Sequence, residues 1–173
     1  MGTVRVLISK ELIDQRVAQL ARAIDAEYAG KDPVLVGVLK GSFVFLADLV
    51  RKLTIPVEID FVRVSSYGAR KQSPGKAKLV HGLGLPIKGR HVIVVEDIVD
   101  TGVTIRFVLD YITRRKPASL KLCTLFDKPS GRQVEVPVDY VGFAIPDAFA
   151  VGCGLDYDEK YRYLSDLCIL EEP

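Results

Sequence analysis

Between His91 and Thr104 the chain reads HVIVVEDIVDTGVT, and this stretch constrains the fold more than any other. Val92, Ile93, Val94 and Val95 form an unbroken β-branched run, the pattern of a strand buried on both faces of a parallel sheet. Three carboxylates follow within five residues (Glu96, Asp97 and Asp100), and then come the small residues Thr101, Gly102 and Thr104. A helical pattern begins directly afterwards, with Ile105, Val108, Leu109 and Ile112 on one face. A buried strand thus delivers acids and a small-residue loop to the start of a helix. Open α/β sheets bind their ligands at such corners. Free backbone N–H groups and the helix dipole suit this one to a phosphate.

The rest of the chain repeats the same alternation. Val4 to Ile8 is a short strand candidate, Ser9 can cap the next helix, and Leu12, Ile13, Val17, Leu20, Ala21 and Ile24 recur at helical spacing before Gly30. Val34 to Leu39 reads as a central strand, Lys40-Gly41-Ser42 as a turn, and Phe43 to Leu53 as a helix with Phe45, Leu46, Leu49 and Val50 inward. Taken alone, that turn reads equally well as an ordinary strand-to-helix connection with a surface lysine. Val57 to Val64 is a further strand. Residues 69–78 are polar and basic with no hydrophobic period, so they read as a long loop, either a surface connection or a lid. Leu79 to Leu85 is ambiguous and could return the chain from that loop. Arg114, Arg115 and Lys116 complement the dipole at the end of the helix after the central stretch. Leu120 to Phe126, Tyr140 to Ile145 and Leu167 to Leu170 complete the strands, with Phe149 to Gly152 after the Pro146-Asp147 turn. The expected fold class is α/β, a mainly parallel sheet flanked by helices, as a single domain over residues 1–173 with a small hood from the chain ends.

Composition excludes several classes. With 173 residues and 49% hydrophobic content, a sizeable core is affordable, and no apolar run approaches the ~20 residues of a membrane span. Met1-Gly2-Thr3 does not open a signal peptide, so a cytoplasmic location is expected. A net charge of +2 does not by itself imply nucleic-acid binding. Cys123, Cys153 and Cys168 are odd in number, widely spaced and in apolar contexts, which reads as buried free thiols.

Six segments in order carry a family resemblance: L-K-G-S, S-S-Y-G, E-D-I-V-D-T-G-V-T, D-K-P-S, V-G-F-A-I-P-D and F-A-V-G-C-G-L-D-Y-D-E-K-Y-R. The third resembles the phosphoribosyl-pyrophosphate (PRPP) loop of the type I phosphoribosyltransferases. The last three are more specific, because they resemble the purine site of the bacterial-type hypoxanthine-guanine phosphoribosyltransferases. The resemblance runs from about Ser9 to Leu170. It implies transfer of ribose 5-phosphate from PRPP to a 6-oxopurine in purine salvage, giving IMP or GMP and pyrophosphate, with magnesium as cofactor.

The resemblance also implies roles. Thr101, Gly102, Val103 and Thr104, with the Asp100 backbone, would wrap the 5′-phosphate. Glu96 and Asp97 would hold the ribose hydroxyls beside magnesium, with Asp156 as a further metal carboxylate. Lys40, Gly41 and Arg162 would contact pyrophosphate, and the Leu39–Lys40 peptide would be cis. Ser66 and Tyr67 would open a lid over about 66–78 that excludes water. Phe149 would stack on the purine, Lys128 would donate to its 6-oxo oxygen, and the Ala150 backbone would read the ring edge. Asp100 would be the general base near N7. Val103 departs from members that carry lysine there. Without the resemblance, Asp156 and Asp158 read as solvated turn carboxylates. A homodimer or homotetramer is expected by the same likeness.

Three other functions would leave different marks in the sequence. A pyrimidine-operon regulator of related fold should show an extended basic face and lack the purine-site signals. A purine repressor should carry a DNA-binding extension, for which the N-terminus here has no room. A dinucleotide-binding module should carry G-x-G-x-x-G after its first strand, and none is present.

Overall fold

The chain opens on the smaller of two sheets, with β1 (Thr3–Ile8). The computed structural model describes residues 3–66 and 77–171. Ser9 then caps α1 (Lys10–Tyr28), its Oγ accepting from the Leu12 N–H at 3.4 Å. The buried stripe of α1 is Ile13, Val17, Leu20, Ala21, Ile24 and Tyr28. Leu12, expected inward, is exposed, because the stripe starts one residue later. There follow β2 (Val34–Leu39), α2 (Phe43–Val50), β3 (Glu58–Ser66) and β4 (Ala77–His81). The chain continues with β5 (His91–Val99), α3 (Val103–Thr113), β6 (Ser119–Asp127), β7 (Tyr140–Ala144), β8 (Ala150–Val151) and β9 (Leu167–Glu171). Arg115 meets the end of α3 as expected, donating to the Tyr111 carbonyl at 2.9 Å.

The large sheet has the order β4-β3-β2-β5-β6-β7. Every pairing in it is parallel except β3 with β4 at the edge. Alternating side chains of the central strands feed two cores. Leu35, Ile93, Val95, Cys123 and Leu125 face α1 and α2, whereas Val34, Val36, Val92, Val94 and Leu122 face α3. Burial on both faces is what the β-branched runs require, and each such side chain contributes about 1.5–3 kcal/mol.

Strand order fixes the place of the site. From β2 the chain crosses to β3 on one side, and β5 then pairs on the other side of β2. The connections leaving β2 and β5 diverge, so a crevice opens beyond their C-terminal ends. The small sheet, of order β1-β9-β8, is assembled antiparallel from the two ends of the chain. It carries Phe149 and Ala150 to that crevice, with the Leu170 N–H donating to the Phe149 carbonyl at 3.0 Å.

Residues at both ends of the segment expected as a lid, about 66–78, belong to strands. Ser66 pairs with Ala77 and Ser65 with Lys78 where β3 ends and β4 begins. Tyr67 and the remainder of that loop lie outside the described residues.

Candidate active site

A cavity of about 790 Å³ lies across the C-terminal ends of β2, β3, β5 and β6. It is lined by Lys40, Gly41, Glu96, Asp97, Asp100, Thr104, Lys128, Phe149, Ala150, Asp156 and Arg162, so candidates for phosphate, metal, pyrophosphate and purine contacts meet in one space. A second cavity of about 100 Å³ adjoins it at the start of α3, lined by Glu96, Asp100, Thr101, Gly102 and Thr104.

The small cavity is held open by its surroundings. Gly102 adopts φ +83°, and a Cβ there would lie 2.3 Å from the Val134 carbonyl oxygen, so only glycine fits. The loop's carbonyls are tied from outside. Arg132 Nη1 donates to the Asp100 oxygen at 3.0 Å, and the Gln133 and Val134 N–H groups both reach the Thr101 oxygen, at 2.9 and 3.0 Å. The Val103 N–H has a long contact, 3.3 Å, to Thr101 Oγ1. With its carbonyls engaged and the α3 terminus behind it, the loop lines the cavity with Thr101, Gly102 and Thr104, an arrangement suited to an anion. Val103 sits at the first helical position and, unlike its neighbours Gly102 and Thr104, lines neither cavity.

Glu96 and Asp97 stand side by side on β5, 6% and 7% exposed. Burial pushes Glu96 well above the usual carboxylate range, with the Asp97 charge adding to it. Burial pushes Asp97 up as well. The Asp97 Oδ1 accepts from the Ile98 N–H at 2.8 Å. Its other oxygen packs on the turn after β2, where a Cβ on Gly41 would come within 1.8 Å of it. That contact joins the two divergent strand ends, and the Leu39–Lys40 peptide before it is cis. Two buried carboxylates of like charge form a hard-oxygen seat that favours a cation. Asp156 is not gathered with them. Its oxygens take Arg162 Nη2 at 2.9 Å and the Glu159 N–H at 2.9 Å. Among the described residues no three His, Cys, Asp or Glu side chains converge closely enough to hold a metal alone. Magnesium does not require that, because it retains waters and binds through one or two carboxylates together with substrate phosphates.

At one end of the cavity, Lys40 Nζ lies 3.0 Å from Glu159 Oε2, and Arg162 Nη2 lies 3.5 Å from the same oxygen. Lys40 holds the Glu159 carboxyl below its usual range. At the other end, Lys128 is nearly buried, with Nζ 2.8 Å from Asp147 Oδ1 and 3.8 Å from Asp100 Oδ2. Phe149 is 53% exposed and meets the Tyr157 ring edge-on at 5.4 Å, leaving a face free for stacking. Ser66 closes β3, and Tyr67 lies outside the described residues.

Sequence reasoning missed three residues here. Arg132 pairs with Asp127 while holding Asp100, Asp147 neutralises Lys128, and Glu159 bridges Lys40 and Arg162. Asp147 and Glu159 sit inside motifs singled out in the sequence, but nothing local gives either a role. Arg132 lies outside them and resembles an ordinary polar loop residue.

Residues 8–158 match the family model of the phosphoribosyl transferase domain. The chain belongs to this phosphoribosyltransferase family. Among curated relatives, the hypoxanthine phosphoribosyltransferase of Haemophilus influenzae is 48% identical over 98% of this chain and 97% of its own length. The bifunctional protein TilS/HprT of Listeria monocytogenes is 46% identical over 96% of this chain, which spans only 26% of that longer relative. A crystal structure of a hypoxanthine-guanine phosphoribosyltransferase from Bacillus anthracis matches with a TM-score of 0.91 and 44% identity, covering 99% of both chains. The parallel sheet with a cap from the chain ends is therefore the type I phosphoribosyltransferase fold.

Proposed function

We propose that this chain transfers ribose 5-phosphate from PRPP to a 6-oxopurine, hypoxanthine or guanine, releasing pyrophosphate and forming IMP or GMP. One observation carries the reading: the Asp100 carboxylate lies between the phosphate corner and the base end, 3.8 Å from the Lys128 ammonium. A group there can serve both partners of a transfer. The names of the relatives at 46–48% identity point the same way.

The small cavity at α3 takes the 5′-phosphate through Thr101, Gly102, Val103 and Thr104. Glu96 and Asp97 hold the ribose hydroxyls and are the seat for magnesium, with Asp156 as a further carboxylate on the pyrophosphate side. When bound, magnesium neutralises charge on the leaving group. Lys40, the Gly41 backbone and Arg162 orient the pyrophosphate and stabilise its charge as the C1–O bond breaks. Phe149 stacks on the purine, Lys128 donates to its 6-oxo oxygen, and the Ala150 backbone reads the ring edge. Asp100 accepts the N7 proton as N9 attacks C1 with inversion. Ser66 and Tyr67 open the lid that excludes water from the oxocarbenium-like sugar.

Product formation with PRPP and magnesium, offering hypoxanthine, guanine, xanthine, adenine and uracil separately, tests the reading. Turnover of hypoxanthine or guanine with little of adenine is expected. Turnover of uracil alone, or of no base, overturns it. We further propose a single transferase domain that works in the cytoplasm as a homodimer or homotetramer, which sedimentation would check. No helix among the described residues is long and apolar enough to cross a membrane.

A further inference from the structure

Tyr157 to Lys160 form a two-residue hairpin turn. Tyr157 and Lys160 exchange backbone hydrogen bonds at 3.2 and 3.0 Å. The central residues, Asp158 and Glu159, are both left-handed, with φ of 50° and 61°. This is the type I′ pattern, which favours asparagine and glycine. A glutamate held there costs free energy and persists only where its surroundings fix it. Two contacts do so. The Glu159 N–H donates to Asp156 Oδ2 at 2.9 Å. The Glu159 carboxylate accepts from Lys40 Nζ at 3.0 Å and lies 3.5 Å from Arg162 Nη2.

Lys40 and Arg162 arrive from distant parts of the chain and are brought together by one carboxylate. Arg162 has a carboxylate partner without it, since Asp156 pairs at 2.9 Å on the same nitrogen. The place where Lys40 and Arg162 converge is the seat given above to pyrophosphate, and the chain's own acid fills it. We propose that Glu159 is an internal stand-in for pyrophosphate: it occupies the anion seat between Lys40 and Arg162, is displaced as the diphosphate of PRPP enters, and returns as pyrophosphate leaves. This rests on the transferase reading. A diphosphate offers several acceptor oxygens and more charge than one carboxylate, so it wins the two cations, and like-charge repulsion drives the carboxylate out. The side chain is 64% exposed, so it swings into water at little cost.

A competitor inside the chain weakens every anion that uses the seat by the same factor. Two ion pairs of a well-exposed carboxylate are lost on displacement, so that factor is about 3–10-fold. PRPP and pyrophosphate bind correspondingly less tightly, and the returning carboxylate speeds product release.

Calorimetric titration with inorganic pyrophosphate and magnesium tests this on the full chain, its Glu159→Gln and Glu159→Ala variants, Lys40→Ala and the Lys40→Ala/Glu159→Gln pair. Both Glu159 variants are expected to bind pyrophosphate about 3–10-fold tighter. The gain should shrink in the Lys40→Ala background, and the KM for PRPP should fall by the same factor. Equal or weaker binding in both Glu159 variants overturns the proposal and makes Glu159 a support for Lys40 and Arg162. Absence of pyrophosphate binding in every protein also overturns it. Hypoxanthine turnover by the unaltered chain is measured beside it. Turnover without tightening sinks the stand-in alone, whereas tightening without turnover of any base sinks the transferase reading and leaves the stand-in.

Discussion

At the N-terminal edge of the large sheet, Glu27 accepts from both Lys121 and the Tyr140 hydroxyl, and these two hydrogen bonds hold its carboxyl below the usual range. At the C-terminal edge, Glu96 and Asp97 stand buried beside one another, and burial pushes both upward. The N-terminal edge settles its charges in pairs: Arg90 meets Glu58 at 2.8 Å, and His91 Nδ1 meets Ser119 Oγ at 2.7 Å. The C-terminal edge shares its cations instead. Lys128 serves Asp100 and Asp147, and Glu159 lies between Lys40 and Arg162. One sheet thus has an edge built for stability and an edge whose electrostatics are completed by a ligand. Shifted acids gathered in a cleft are the physical mark of the second kind.

The largest effect expected is at the acid between the two ends of the cavity. Asp100→Asn keeps the side-chain shape but removes the proton acceptor. The main-chain bond from Arg132 to the Asp100 oxygen does not depend on the side chain, so the loop before α3 stays in place. Turnover should fall about 10²–10⁴-fold while PRPP affinity holds. Steady-state rates and a PRPP titration on the variant check this, and unchanged turnover removes Asp100 from the chemistry. Next is Lys128→Ala. A hydrogen bond to a charged group is worth about 1.5–3 kcal/mol, so the preference for hypoxanthine over adenine in kcat/KM should drop about 10–100-fold. An unaltered ratio would show that Lys128 does not read the 6-oxo oxygen and serves only Asp147 and Asp100.

Legibility in the sequence follows the same division. β2, β5 and β6 could be bounded to within a few residues because strands buried on both faces write a continuous apolar run. β1 was legible as a strand but not its partner, because the antiparallel match of Thr3 with Glu171 closes over nearly the whole chain. Leu12 was misassigned because an apolar residue beside a helical stripe satisfies the same spacing. Glu96, Asp97 and Asp100 stood out as a density of acids at a strand end, a local signal. The end of the cavity at Lys128 needed the family likeness, since Lys128 after β6 and Phe149 beside the small sheet meet only in the tertiary fold. Arg132 and Glu159 were invisible because each matters through a tertiary contact, to the Asp100 main chain and to Lys40, that no local pattern encodes.

The contrast between edges sharpens at Glu96. Its raised pKa means the folded state holds the proton more tightly than the unfolded chain. The free protein therefore loses stability as pH climbs from the ordinary glutamate range toward the raised value. Glu96→Gln removes the buried charge. The variant free of magnesium and PRPP should gain about 0.5–2 kcal/mol at neutral pH and show a flatter pH slope. It should also be stabilised less by magnesium with PRPP. Thermal unfolding between about pH 5 and 8 reads both effects. A variant no more stable than its parent would mean that this edge carries no electrostatic cost.

Glu27→Gln should give the smallest change and the opposite sign. The depressed pKa of Glu27 means its contribution is present above the unfolded value and is lost as pH falls through the folded one. At neutral pH the variant should lose a few tenths to about 1 kcal/mol, because the pair with Lys121 is partly exposed and screened by solvent. On acidification the gap between variant and parent should close, since the parent's Glu27 then takes up its own proton. Turnover should not move, because Glu27 lies at the far edge of the sheet from the cavity. Denaturant unfolding at neutral and acid pH, with rates measured alongside, gives both readouts. A gap that persists in acid would assign the effect to packing against Tyr140 rather than to charge. A change in turnover would mean that the two edges are coupled through β6, and the division between a settled edge and a waiting one would fail.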